Sequence, residues 1–111
     1  MTANYVKAIP AINFDTADLT ADLQLIGTLP VACYLLRFTN FCDNPIFISY
    51  DGVDIHESCL GADATNAFPI YAQSNSQKRD TAFFKAGTEI WVVGTAGVGF
   101  FMVSGYYQPQ I

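Results

Sequence analysis

Charge is what this 111-residue chain has least of: only 14% of its residues are Asp, Glu, Lys or Arg, against about 25% in an ordinary soluble domain. Positive charge is scarcest, with 5 Lys and Arg against 10 Asp and Glu, for a net charge of −5. Affinity for a phosphate backbone is built on Lys and Arg, so a nucleic-acid partner is not expected. Lys78 and Arg79 read as the solvated tip of a polar loop. No run approaches the roughly 20 apolar residues of a membrane span, and Met1–Lys7 lacks the basic start and apolar stretch of a secretory signal, so no membrane partner is expected and synthesis in a cytoplasm is. Three cysteines, Cys33, Cys42 and Cys59, cannot all pair within one chain and form no C-x-x-C unit. Reduced, buried thiols are the expectation.

What the chain has in quantity is apolar and aromatic surface. Apolar residues make up 51%, including 9 Phe and 6 Tyr, which excludes a largely disordered chain. The length suits one domain with one core. Segments such as Ile90-Trp91-Val92-Val93 and Phe100-Phe101-Met102-Val103 are apolar on both faces of a strand, whereas a small sandwich supplies one inward face per strand. The second face calls for a partner, and the interface candidates are Trp91, Phe101, Val103, Tyr106 and Tyr107.

Strand signals dominate from Val31 onward. Cys33–Phe41 and Ile46–Tyr50 are rich in Tyr, Leu, Phe and Ile, and the second ends at Asp51-Gly52, which suits a two-residue hairpin turn returning as Val53–Cys59. Ala67–Ala72 reads as a strand held at an edge by Pro69, followed by a polar loop over Gln73–Asp80. Lys85-Ala86-Gly87 turns into a strand Thr88–Thr95, which Ala96-Gly97 joins to Val98–Tyr107; Gly94, Gly97, Gly99 and Gly105 mark a turn, bulges or close backbone approach. The fold class is all-β: a single antiparallel β-sandwich over residues 31–111, with a jelly roll among its compatible forms. Residues 1–30 are read as an extended N-terminal arm or irregular segment; a short helix over Asp18–Leu25 and an arm laid on a neighbour both fit its pattern.

Chemical motifs are few. His56 is the only histidine; Asp51, Asp54 and Glu57 lie near it, but strand alternation sends Glu57 to the opposite side from Asp54 and His56, and no recognised zinc spacing is present. Ser49, Ser58 and Ser104 stand outside any G-x-S-x-G elbow, and the glycines form no phosphate loop. No catalytic residue, metal or cofactor is assigned. Trp91, Tyr106 and Tyr107 can also be read as a saccharide-stacking set, which makes a carbohydrate-binding module in host recognition the alternative of another class. An enzyme would need His56 to meet Asp54, Cys59 or a distant serine in a pocket.

The strand-turn-strand Phe47–Asp54, the segment Phe84–Val92 and the ending Val98–Tyr107 resemble small β-sandwich structural proteins of tailed bacteriophages, over residues 31–107. The resemblance implies a non-enzymatic virion component, first a capsid decoration or cement protein and otherwise a tail or head-tail junction component. Its partners would be further copies of itself and a major capsid or tail protein.

Overall fold

The computed structural model describes residues 7–61, 70–73 and 84–107. Among these lie nine strands: β1 (Lys7–Ala8), β2 (Ile12–Asp15), β3 (Gln24–Thr28), β4 (Leu35–Asn40), β5 (Ile46–Ser49), β6 (Glu57–Cys59), β7 (Ile70–Gln73), β8 (Glu89–Gly94) and β9 (Phe100–Tyr107). They form two antiparallel sheets packed face to face. One is ordered β1-β9-β4-β7, with β2 also paired to β9, and the other β3-β8-β5-β6. The all-β sandwich expected from the sequence is the observed architecture.

The core follows from period-2 alternation. Leu36 and Phe38 of β4 and Phe101 and Val103 of β9 face Ile46 and Ile48 of β5 and Ile90 and Val92 of β8, all fully buried. The Phe38 and Phe101 rings lie 6.1 Å apart and nearly parallel. β9 is central: β4 pairs with it from Leu35↔Tyr106 to Asn40↔Phe101, while its other edge takes β1 at Ala8↔Tyr106 and β2 at Ile12↔Val103.

The N-terminal segment differs from the expected arm. Residues 7–28 contribute strands to both sheets, and Ile12 and Phe14 pack against the core. No helix forms over Asp18–Leu25. A single 3-10 turn, Thr16–Asp18, begins under the Asp15 carboxylate, which accepts from the Ala17 N–H, and Leu19 is already extended at φ −63°, ψ 142°. The Thr20 hydroxyl then accepts from the Asp22 N–H and donates to the Asp22 carbonyl. Such local bonds compete with helical ones, and β3 gains a ladder along β8 instead, with a register shift between Leu25 and Gly27.

Two connections also depart from expectation. Asp51-Gly52 does not make a two-residue hairpin: residues 50–56 form a wider loop, because Asp51 Oδ1 accepts from the Val53 and Asp54 N–H groups and Ser49 Oγ from those of Asp51 and Gly52. Gly52 does take the positive φ, +78°, that the dipeptide signals. Ala96-Gly97 does not join paired strands, since β8 and β9 belong to different sheets. Among the described residues only β5 and β6 pair as sequence neighbours. β7 is an edge strand as expected, whereas Pro69 and the loop residues 74–80 lie outside the described residues.

One end of the sandwich is fastened by polar groups. Buried Asn40 donates to the carbonyls of Asn44 and Leu60 and accepts from the Cys42 N–H. Asn44 donates to the Thr95 and Ala96 carbonyls, and buried Thr16 to that of Gly97. Gly99, at φ +138°, places its α-carbon against the Phe41 carbonyl, where a side chain has no room.

Candidate interaction surface

The outer face of the four-stranded sheet is apolar. Because Ile90 and Val92 point inward, Trp91 and Val93 point outward, and register sets Leu25 beside Trp91 and Phe47 beside Val93. Leu25 is 47% exposed and Phe47 40%. Trp91 is half-buried: its indole lies under Gly52, where an added β-carbon would stand 2.9 Å from the ring, and its Nε1–H donates to Glu89 Oε1 at 3.2 Å. At the fastened end of the sandwich a second apolar group forms, with Phe41 and Phe100 stacked at 4.5 Å. Val98, beside it in sequence, is 91% exposed.

The sequence-derived interface set is divided by the fold. Phe101 and Val103 are 0% exposed and belong to the core, so they offer no surface to a partner. Tyr107 packs partly against that core, and Tyr106 stands on the opposite face of β9 beside Leu35. Trp91 alone of the five is on the outer apolar stripe. It lies on a different sheet from Tyr106 and Tyr107, so the three do not form one saccharide platform. Leu25 and Phe47 were not singled out by sequence; Ile46-Phe47-Ile48 carries the same both-faces signal as Ile90–Val93, but Leu25 is legible only once β3 is registered against Trp91.

The 50–56 loop holds the chemistry-bearing side chains. His56 Nδ1 accepts from the Tyr50 N–H at 3.1 Å, the two rings stack at 5.4 Å, and Nε2 lies 3.8 Å from Asp51 Oδ2. Hydrogen bonds from the Asp54 and Val53 N–H groups hold the Asp51 carboxyl down, from 3.8 to about 2. A lowered carboxylate favours the folded loop in full above its ordinary range, and the benefit is lost as pH falls through about 2. Tyr50 donates its hydroxyl to Glu57 Oε2, and burial followed by that carboxylate's charge pushes the phenol well up. An open cleft of about 490 Å³ is lined by Phe47, Ile55, His56, Glu57, Ser58 and Ile70.

These groups do not assemble into a nucleophile and base. The Ser49 hydroxyl is tied to Asp51, and Ser104 Oγ accepts from Arg37 at 3.3 Å. Among the described residues no three of His, Cys, Asp and Glu converge to hold a metal ion. Cys33, Cys42 and Cys59 are buried and free. Burial raises the Cys33 thiol, and burial with the nearby Glu57 charge pushes Cys59 up to about 12. Because all three are buried, they should resist a thiol reagent at pH 8 and react together once the chain is unfolded; Ellman titration with and without denaturant reads this directly. Rapid labelling of the native protein would place a thiol at the surface, contrary to the fold.

No family model matches the chain, and no curated protein or solved structure resembles it significantly. The fold and its surfaces define it as a small all-β sandwich with an apolar outer sheet face.

Proposed function

We propose that this chain is a non-enzymatic structural protein that acts through its surface, self-associating over the outer face of the four-stranded sheet. The observation that carries the reading is the row Leu25, Trp91, Val93 and Phe47 on one side of a sheet whose other side already fills the core. An apolar row of this kind marks a contact surface more often than a solvated face.

Within that class, a virion component is the reading we favour, as a capsid decoration or cement protein, with a tail or head-tail junction as its other placement. Two arguments support it. The resemblance of Phe47–Asp54, Phe84–Val92 and Val98–Tyr107 to phage β-sandwich proteins is one. The other is strand order: β2-β9-β4-β7 against β3-β8-β5-β6, with the chain passing repeatedly between sheets, is compatible with a jelly roll, an architecture found in viral capsid and lectin domains. Shared architecture is an analogy and assigns no activity by itself.

The test is light scattering over a concentration series on the parent chain and on a Leu25→Glu/Phe47→Glu double variant. A defined oligomer is expected for the parent. The variant should associate about 30-fold or more weakly, the effect of ~2 kcal/mol at a central contact, with its circular dichroism unchanged. A parent that stays monomeric at every concentration, or a variant that assembles equally well, would overturn the reading.

A further inference from the structure

We propose that His56 is a proton-operated latch on the 50–56 loop, and that its protonation releases the loop from Trp91. The chain has a single histidine and a single tryptophan, and the loop that carries the histidine seats Gly52 on the indole. The latch touches the outer sheet face at Trp91.

The argument begins with the tautomer. Nδ1 accepts the Tyr50 N–H at 3.1 Å, so the neutral ring carries its proton on Nε2, the nitrogen that faces Asp51 Oδ2 at 3.8 Å. The His56 N–H meanwhile donates to the Ile48 carbonyl, holding the loop's return to β5. The imidazole thereby closes residues 50–56 on themselves, stacked on Tyr50, with Gly52 seated on the Trp91 indole.

A proton added at Nδ1 points straight at the Tyr50 N–H. Acceptor becomes donor, the bond is lost, and two donors face each other. The charged ring is drawn instead to the carboxylates around it. Asp51 lies beside Nε2, Asp54 is in the same loop with its N–H on Asp51 Oδ1, and Glu57 follows His56 in sequence and lines the same cleft. The remaining described residues of that cleft, Phe47, Ile55, Ser58 and Ile70, carry no charge to oppose the move. Turning toward Asp51 pulls at the carboxylate that accepts the Val53 and Asp54 N–H groups. Loss of that turn lifts Gly52 from the indole.

The experiment is a titration of Trp91 emission from about pH 8 to about pH 5, the span over which an imidazole changes charge, with far-UV circular dichroism recorded alongside. The parent should show one single-proton transition in emission while its circular dichroism stays constant. His56→Asn keeps an acceptor for the Tyr50 N–H but cannot take up the proton, and its emission should stay flat at the value the parent has at high pH. Long-range 15N spectra of the parent at pH 8 should show the Nε2–H tautomer. The latch is overturned by a parent whose emission does not titrate, by the same transition in His56→Asn, by the Nδ1–H tautomer, or by circular dichroism that collapses with the emission change.

Discussion

Replacing Phe38 by alanine should remove about 3–5 kcal/mol of folding free energy, the largest loss expected from any single core truncation here. Phe38 is fully buried on β4, lies parallel to Phe101 at 6.1 Å and sits 6.3 Å from Tyr50, so its ring joins the two sheets to the base of the 50–56 loop. Deleting it forfeits both the transfer of the ring from water and the contacts across the hole it leaves. Against a typical total of about 5–15 kcal/mol, that loss brings the variant close to unfolding at room temperature. Urea denaturation should show the midpoint falling with the slope unchanged. Phe47→Ala, on the outer face, should cost no more than about 1 kcal/mol by the same assay, because that ring is only partly covered. Equal losses at the two positions would mean that the assignment of inner and outer faces is wrong.

Asn40→Ala should cost about 3 kcal/mol although it removes only a small polar group. Its side chain is the shared partner of the Asn44 carbonyl at 2.8 Å, the Leu60 carbonyl at 3.1 Å and the Cys42 N–H at 2.8 Å, and the residue is buried. Alanine leaves three backbone groups without a partner, and each buried orphan costs about 1–3 kcal/mol before relaxation or water entry recovers part of it. The near-isosteric Asn40→Asp is the sharper probe. It keeps the acceptor for Cys42 but sets a negative charge against two carbonyl oxygens, so at neutral pH it should be at least as damaging as alanine and should recover as the carboxyl is protonated. If Asn40→Asp matched the parent at pH 7, the amide would not be donating to those carbonyls.

The strand content was legible because Val, Ile, Phe and Tyr recur in short runs bounded by turn residues, and the both-faces pattern at Ile90–Val93 did mark a sheet whose outer side is apolar. Pairing was not legible, since alternation says which residues share a face and nothing about which strand lies alongside. Phe100–Val103 carried the same pattern as Ile90–Val93, yet its inward pair, Phe101 and Val103, proved to be core. Leu19, Leu23, Leu25 and Ile26 match a helical spacing well enough to suggest one. Only the Thr20–Asp22 turn and the open edge of β8 decide for a strand. Asn40 gave no signal at all, because a buried asparagine looks like any other until the three backbone groups around it are in place. At Asp51-Gly52 the dipeptide forecast the positive φ and missed the loop, whose width is set by Ser49 and the N–H groups of Val53 and Asp54.

The central place of β9 in the five-stranded sheet sets the order in which the chain can mature. β9 is the last of the described strands in chain order and the one to which β1, β2 and β4 all pair. Until it emerges, β1 and β2 have no strand to pair with and β4 has only β7. The nascent chain therefore carries Ile12 and Phe14 unpaired through most of its synthesis, with β5–β6 the one described hairpin between sequence neighbours. A product cut short before Phe100 lacks the strand that joins β1 and β2 to β4, so interrupted copies are left open to proteases.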